Sequence, residues 1–282
     1  MSHVSRSGSD AAARWRDQLA AWALPDRILR AVPDSPWAIP KDVFTRRADD
    51  SVAAPTGPSY VRASEALRPA GTVLDVGAGA GAASLPLARW ATRLSAVDSS
   101  EDMLAAFAER AAQLGIAYDV VLGRWPDVAA QVAPADVVVC HHVFYNAPDL
   151  AAFALALTDR ARRRVVVELT EGHPVRVLNP LWKQLHDLDR PEGPTATDAR
   201  DVLREVGLDP HREERTRPLR PEYPSFDALV AVTRRRLCLP PERDPELADA
   251  LVRLGVDPDH PRDLSLGDES LVTLWWDVAY RA

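Results

Sequence analysis

Cysteine is scarce in this chain, and long apolar runs are missing. Its 282 residues include two cysteines, Cys140 and Cys238, which are too few for the disulfide framework of a small secreted domain. No apolar run reaches the roughly 20 residues that a membrane-spanning helix requires. Residues 1–10 lack the apolar segment of a secretory signal. These absences predict a soluble protein of a reducing compartment without a membrane partner, and the cytoplasm is the expected location.

An excess of positive charge is also lacking. The chain carries 34 basic and 41 acidic residues, which give a formal net charge of -7 at neutral pH. Affinity for nucleic acids depends largely on neutralising phosphates, so this balance does not favour a nucleic acid as partner. The arginine clusters at 160–164 and 234–236 are better explained by helix structure than by a nucleic-acid-binding patch. The first ends a predicted helix, where cations suit the dipole, and the second lies on a predicted amphipathic helix, where arginine stems cover apolar surface.

Short apolar strands alternate with helices between residues 72 and 169. The strands are predicted at 72–76, 94–97, 118–122, 136–140 and 164–169, with helices at 82–90, 100–114 and 150–161. Such an alternation forms βαβ units, and a continuous apolar strand such as DVVVC is typical of a parallel sheet covered on both faces. The fold class is therefore α/β, with a mostly parallel, doubly wound sheet.

The segments outside this alternation predict added helices and two further strands. A short helix is expected at 60–67, with Ser59 as its possible cap. Beyond residue 170, helices are predicted at 196–206, 225–237 and 245–254, and strands at 208–217 and 270–278. The expected division is an N-terminal helical cap segment at 1–57, a Rossmann-like core at 58–217, an inserted helical cap at 218–264 and a returning C-terminal strand at 265–282.

The aromatic residues of the expected cap allow two interpretations. Trp15, Trp22, Trp37 and Trp182 fall in segments that we expect to cover the sheet edge. They would form either an aromatic lid over an apolar or planar ligand or the ordinary packing of an added helical layer, and base rates of aromatic burial favour packing.

The most informative segment is DVGAGAG, which begins at Asp75 and contains Gly77, Gly79 and Gly81. Glycine permits positive φ in a tight turn and lets a ligand approach the backbone closely. A helix directly after such a turn would present free N–H groups and a positive dipole end. Asp98 follows at the end of the second strand, where a carboxylate can accept hydrogen bonds from both hydroxyls of a ribose. The segment predicts a nucleotide-type ligand.

The glycine run alone is compatible with two cofactors. It satisfies the G-x-G-x-x-A fingerprint of folds that bind NAD or NADP, with Asp98 as the acidic partner, and so allows an oxidoreductase. The same residues resemble motif I of the class I S-adenosylmethionine (SAM)-dependent methyltransferases. The sequence AVDSSEDML at 96–104 resembles the second motif of that family, an acidic residue, then Ser, then Met-Leu. Asp75 favours the methyltransferase, because a carboxylate there would repel a pyrophosphate.

The resemblance covers roughly residues 58–215 and the last strand, and it implies a seven-stranded sheet of order 3-2-1-4-5-7-6 with an added helical cap. It also implies SAM as cofactor and S-adenosylhomocysteine (SAH) as product, with the methyl group passing to an O or N atom of a small molecule. It indicates no oligomeric state. The cofactor-binding residues that it implies are Tyr60, Arg62, Asp75, Gly77, Gly79, Gly81, Asp98, Ser99, Met103, Arg124, Trp125 and His141.

These residues are expected to contact different parts of the cofactor. In similar enzymes the glycines line the methionine and the ribose, and Ser99 and Met103 would lie near the adenine. The backbone of His141 would meet the amino end. Tyr60 or Arg62, on the helix before the first strand, would contact the carboxylate, a group that Arg can bind with two hydrogen bonds.

The chain departs from the family pattern after the third strand. The family often has Gly-Asp-Ala there, whereas this sequence has Gly123, Arg124 and Trp125. The acid that faces the adenine amino group is therefore missing, and the Trp125 ring or backbone groups would take its place. This departure keeps open a further interpretation, a non-catalytic SAM-binding module on the same fold.

Candidates for the chemistry follow the fourth and fifth strands, at the usual site edge of an open α/β sheet. Methyl transfer needs a positioned acceptor, and it needs proton removal where the acceptor requires it. His142 and His173 are expected as general bases, and Tyr145 is a third candidate; Glu168 lies at the same edge without an assigned role. No metal is expected, since the adjacent pair His141 and His142 is unlike a set of ligands that converges on one ion.

Overall fold

Seven strands form a single sheet in the part of the protein that the structure describes. This computed structural model describes residues 10–30, 41–216, 223–261 and 270–278. The strands are β1 (Gly71–Val76), β2 (Ala91–Asp98), β3 (Tyr118–Leu122), β4 (Ala135–His141), β5 (Ala161–Thr170), β6 (His211–Thr216) and β7 (Ser270–Asp277). Their order is β3-β2-β1-β4-β5-β7-β6, and β7 runs antiparallel between β5 and β6. The expected fold class and strand order are confirmed.

Helices cover both faces of this sheet. Those within the described residues are α1 (Ala11–Ala20), α2 (Asp26–Leu29), α3 (Lys41–Ala53), α4 (Pro58–Ala66), α5 (Glu101–Gln113), α6 (Leu150–Arg160), α7 (Asn179–His186), α8 (Ala196–Glu205), α9 (Phe226–Arg236) and α10 (Asp244–Arg253). The middle of strand β4 is apolar because both of its faces are covered. Val137 and Val139 pack under α4 and α5, while Val138 and Cys140 pack under α1, α6 and α8. No helix of these ranges is long and apolar enough to cross a membrane.

The connection from the glycine run to β2 is not the predicted helix. Residues 79–84 form turns, and a short 3-10 helix follows at Leu85–Leu87. Pro86 is one cause, because it has no N–H to donate to the carbonyl of Ala82 and so interrupts an α-helix at 82–90. The expected α-helix N-terminus, with its free N–H groups and its dipole, is therefore absent from this fully described stretch.

The expected division of the chain treats residues 1–57 as one helical cap segment, but helices α1, α2 and α3 pack in three different places. Helix α1 packs on α6 and α8, and Trp15 belongs to the core of that layer. Helix α2 joins a separate helical cluster. Helix α3 lies against the glycine run, where Phe44 and Ala48 contact Ala80 and Ala106. The expected residue Trp37 lies outside the described residues.

A helical cap with its own apolar core stands beside the sheet layers. Helices α2, α7, α9 and α10 share it, with Ile28, Leu181, Leu229 and Leu251 among its buried side chains. Helix α7 was not predicted, although Leu181 and Leu185 are four residues apart and Pro180 stands in its first turn, where proline is tolerated. The helices predicted at 225–237 and 245–254 are confirmed as α9 and α10.

Candidate functional site

The glycine run forms a tight turn that is fastened to the neighbouring strand. Gly77, Gly79 and Gly81 have φ values of 71, 53 and 95°, in the region that favours glycine. The Gly77 N–H donates to the carbonyl of Val97 on β2 over 2.8 Å. A Cβ atom on Gly77 would clash with the side chain of Val143, which lies directly above the turn. The turn is thus held between β2 and the loop after β4.

Gly79 faces open space beside a carboxylate. A Cβ atom built on Gly79 meets no described atom within 4 Å, whereas one on Gly81 would lie 2.5 Å from Leu85. The Gly79 N–H donates to Asp98 Oδ2 over 2.8 Å, and the Ser100 N–H donates to Asp98 Oδ1 over 2.9 Å. Because an ionised carboxylate has about four acceptor sites, roughly two remain for a ligand. This part of the turn can receive ribose hydroxyls.

The two residues expected near the adenine flank Asp98. Ser99 follows it directly and is exposed, and the half-buried Met103 stands in the first turn of α5. Leu122, which pairs with Asp98 at the end of β3, is 55% exposed. The side chains around the Asp98 carboxylate therefore present apolar surface as well as hydrogen-bond acceptors.

Two buried polar atoms on one face of the sheet lack partners. Asp75 accepts a hydrogen bond from Ser84 Oγ at Oδ2 over 2.6 Å, but its Oδ1 has no hydrogen-bond partner among the described residues. His141 Nε2 is likewise buried and unpartnered there. Burial raises the pKa of Asp75 to about 7 and lowers the pKa of His141 to about 4. Native structures rarely leave buried polar atoms without a hydrogen-bond partner. Two such atoms on one face therefore indicate a site for a polar ligand.

A third group of polar side chains surrounds Glu168 on β5. Its carboxylate is buried and accepts hydrogen bonds from Ser59 Oγ over 2.7 Å and from Arg215 Nη2 over 3.3 Å. His142 Nε2 lies 3.6 Å from Glu168 Oε1. Burial alone would raise the pKa of Glu168, but the contact with His142 and the charges of His141, His142 and Arg215 outweigh it and lower that pKa.

Ser59 is not the cap of its helix, which corrects the sequence-based expectation. Helix α4 begins at Pro58, and Gly57 stands at the N-cap position. Proline suits the first turn because its missing N–H is not needed there. The Ser59 hydroxyl is therefore free to donate to Glu168.

Tyr60 and Arg62 do not reach the glycine turn, contrary to expectation. The Tyr60 hydroxyl accepts hydrogen bonds from Arg89 and Trp90. The Arg62 guanidinium lies over the Trp275 ring of β7 and pairs with Glu213 on β6. Strand β7 is three strands from β1, about 14 Å across the sheet. The Glu213 carboxylate on the edge strand β6 and the Trp275 ring on β7 therefore hold Arg62 away from a cofactor at the turn.

Arg124 lies at the surface, whereas Trp125 packs against the protein core. Arg124 is exposed, and the half-buried Trp125 packs against the core layer of α1, α6 and α8. Its indole N–H donates to the carbonyl of Phe153 on α6 over 3.2 Å. The N–H of this ring is thus committed to the protein, which favours a packing role for Trp125 over an adenine contact.

Two of the three expected general bases are held in an aromatic cluster. The Tyr145 hydroxyl donates to the carbonyl of Thr170 over 2.8 Å, and its ring stacks on Trp15. The His173 ring stacks on Trp22 with a centroid distance of 4.0 Å, and burial lowers its pKa to about 4. A group with so low a pKa is a weak base at neutral pH. The structure therefore places Tyr145 and His173 in packing roles and leaves His142 as the exposed candidate.

Glu168 was present in the sequence without an assigned role. A charged residue inside the apolar run RVVVEL is unusual, because Glu is rarely buried unless it is paired. That signal marks the position, but its partners Ser59 and Arg215 come from distant segments. No cluster of three His, Cys, Asp or Glu side chains suited to a metal ion occurs within the ranges the structure describes.

The open space at Gly79 makes a matched pair of substitutions informative. Gly79→Ala and Gly207→Ala both place a Cβ at a positive φ, 53 and 82°, where it meets no described atom. We expect each to lower the free energy of unfolding by about 1 kcal/mol through backbone strain. Only Gly79→Ala should weaken SAH binding, by about tenfold, because its methyl group occupies the ligand side of the turn. Equal SAH affinity in the two variants, measured by calorimetry, would place the cofactor elsewhere.

Comparison with known proteins agrees with this geometry. Residues 73–163 match the protein family described as a methyltransferase domain. That range holds the glycine turn, Asp98 and His142. Residues 73–163 are a methyltransferase domain. The expected resemblance to a methyltransferase is thereby confirmed for this range, while no curated protein matches the chain in sequence.

Over most of its length the chain shares its fold with solved structures of low sequence identity. Magnesium protoporphyrin IX methyltransferase from Synechocystis PCC 6803 with bound SAH is 16% identical, with a TM-score of 0.50 over 96% of this chain and 95% of that one. A candidate sarcosine dimethylglycine methyltransferase from Galdieria sulphuraria is 14% identical, with a TM-score of 0.50 over 89% and 95%. At these identities the likeness establishes the fold alone.

Proposed function

We propose that this methyltransferase transfers a methyl group from SAM to an O or N atom of a small-molecule acceptor and releases SAH. The observation that carries the proposal is the open backbone at Gly79 beside the Asp98 carboxylate, inside the methyltransferase domain. SAM supplies the chemistry, a methyl group activated on a sulfonium sulfur. The task of the chain is to bind and orient this cofactor and an acceptor.

The polar atoms at the carboxyl edge of the sheet fit the functional groups of SAM. Asp98 retains acceptor sites for the hydroxyls of a ribose. Asp75 Oδ1 is a buried acceptor without a described partner, and it suits the ammonium group of a methionine moiety. His141 Nε2, on the same face, is a second buried atom that has no hydrogen-bond partner within the described ranges. A ligand with an amino acid end would satisfy both.

A small-molecule acceptor is supported by charge and by the position of the exposed histidine. The net charge of -7 opposes a polyanionic partner. The solved structures of similar fold carry the names of enzymes that act on magnesium protoporphyrin IX and on sarcosine or dimethylglycine, which are small molecules. His142 stands at the sheet edge with a 40% exposed side chain, where an acceptor would approach. We also propose a cytoplasmic location, since Cys140 and Cys238 are both free thiols.

The two alternative functions differ from this one in what they require. A nicotinamide-dependent oxidoreductase would place a pyrophosphate at an α-helix N-terminus, and the stretch after the turn holds only the 3-10 helix Leu85–Leu87. A non-catalytic module would bind SAM without turnover. The polar cluster around Glu168 and His142 favours catalysis, because nothing in cofactor binding alone requires it.

A transfer assay separates these possibilities. The protein is incubated with methyl-labelled SAM and a panel of phenols, amines and carboxylic acids, and both labelled product and SAH are measured. We expect one acceptor class to take up label with an equal amount of SAH formed. SAH binding without any labelled product would indicate the non-catalytic module.

A further inference from the structure

His142 has a backbone conformation that needs support. Its φ is 60°, which is uncommon for a residue other than glycine and costs about 1–3 kcal/mol. The His142 N–H donates to the backbone carbonyl of Glu168 over 2.7 Å and holds the residue there. Strained residues of this kind cluster at functional sites. The conformation is thus maintained by β5, the strand that carries the Glu168 carboxylate.

The same conformation places His142 beside the cofactor turn. The next residue, Val143, lies so close to Gly77 that only glycine fits beneath it. The His142 side chain is 40% exposed, whereas the Glu168 side chain is 6% exposed. One end of the pair is therefore open to an incoming molecule, and the other is closed to water.

Glu168 is fixed from two further directions. Ser59 donates to Oε2, and Arg215 Nη2 approaches both carboxylate oxygens at 3.3 and 3.5 Å. Gly57 allows this approach, because a Cβ there would lie 2.5 Å from the Arg215 guanidinium. The carboxylate is thus held ionised, with Oε1 turned to His142 at an ion-pair distance of 3.6 Å.

We propose that His142 is the general base of the proposed methyl transfer, that Glu168 is its positioning residue, and that the acceptor is a phenolic hydroxyl. This inference rests on the proposed function. A carboxylate only accepts hydrogen bonds, so Glu168 favours the tautomer with the proton on Nε2. The Nδ1 lone pair then remains for the acceptor. A carboxylic acid is already ionised at neutral pH and needs no base, whereas a phenol with a pKa near 10 does. A protonated amine needs one as well, and the acceptor panel below distinguishes it from a phenol.

The proton and electron balance is simple. Nδ1 of His142 takes the proton of the phenolic O–H, whose electron pair forms the new bond from oxygen to the methyl carbon. The pair of the breaking C–S bond stays on sulfur, so the products are the methyl ether and SAH. The imidazolium left on His142 is stabilised by Glu168 and gives its proton to solvent through its exposed side.

Nitrogen NMR of the histidine ring tests the positioning role without an acceptor. In 15N-histidine-labelled protein saturated with SAH, the His142 signals are identified by their loss in His142→Gln. Above neutral pH we expect the Nε2–H tautomer. In Glu168→Gln, Ser59 and Arg215 donate hydrogen bonds and should therefore bind the amide oxygen, which leaves the amide NH₂ facing His142. Because NH₂ is a donor, Nε2 must then accept, and the tautomer equilibrium of His142 should shift toward Nδ1–H. Ser59→Ala keeps the carboxylate and should keep the tautomer. Nδ1–H in the unsubstituted protein would overturn the assignment, even if Glu168→Gln failed to fold.

Phenol methylation tests the base itself. With methyl-labelled SAM and a panel of catechol, hydroquinone, benzylamine and benzoic acid, we expect His142→Gln to lower the rate on whichever phenol is accepted by about 100- to 10,000-fold. Its SAH affinity should change less than threefold. A rate within threefold of the unsubstituted protein would refute the base, and transfer only to amines or carboxylates would refute the hydroxyl acceptor. Absence of SAH binding by the unsubstituted protein would instead refute the proposed function.

Discussion

Replacing Asp98 with alanine is expected to weaken SAH binding by roughly 10- to 100-fold, which corresponds to about 1–3 kcal/mol. The Asp98 carboxylate accepts hydrogen bonds from the Gly79 and Ser100 N–H groups and keeps acceptor sites for two ribose hydroxyls. The substitution removes those acceptors from the ligand and also loosens the turn. Isothermal titration calorimetry with SAH measures the change.

The control for this substitution is a second aspartate of the same sheet. Asp119 on β3 is exposed and pairs with Arg93 over 2.8 Å, away from the glycine turn. Asp119→Ala should leave the SAH affinity unchanged. If a folded Asp98→Ala protein bound SAH as tightly as the Asp119→Ala protein, the ribose would lie elsewhere.

Replacing Asp75 with asparagine is expected to change how stability depends on pH. Burial raises the pKa of Asp75 from an ordinary value of 3.8 to about 7 in the folded protein. Between these values the folded state holds a proton that the unfolded state has lost, so this carboxyl contributes less stability as pH rises. The contribution is complete below about pH 4 and is lost through about pH 7. From pH 5 to pH 8 the loss amounts to roughly 2.5 kcal/mol.

Urea unfolding at pH 5, 6, 7 and 8 measures this effect as a difference between two proteins. The free energy of unfolding of Asp75→Asn minus that of the unsubstituted protein should rise by roughly 2.5 kcal/mol from pH 5 to pH 8. The difference removes the opposite contributions of His141 and His173, whose pKa values are lowered in both proteins. A difference for Asp75→Asn that stays constant from pH 5 to pH 8 would contradict a buried carboxyl with a raised pKa.

The sheet and the cofactor turn were predictable because local pattern determines them. Each predicted strand overlaps an observed one, since an apolar run such as DVVVC fits a doubly covered strand wherever it occurs. The helix predicted at 82–90 was wrong, because the apolar pattern of that segment outweighed the single Pro86 in the interpretation. Helix α7 was not predicted, because the four prolines of residues 171–194 are more typical of a loop than of a helix.

The side-chain partners at the site were not predictable, because they come from distant segments. Arg62 lies 151 residues before Glu213, its partner, and nothing local distinguishes it from a cofactor ligand. The roles of Tyr145 and His173 depend on Trp15 and Trp22, which a separate N-terminal segment brings to them. The same holds for Glu168, whose function becomes visible only with Ser59 and Arg215 in place.

The central claim is that the turn from Gly77 to Gly81, with Asp98 beside it, binds the adenosyl cofactor of a methyltransferase. Calorimetric titration of the purified protein with SAH, and in parallel with NAD, tests it most directly. We predict one SAH site per chain with a micromolar Kd and no heat of binding with NAD. Binding of NAD in place of SAH, or of neither, would contradict the account.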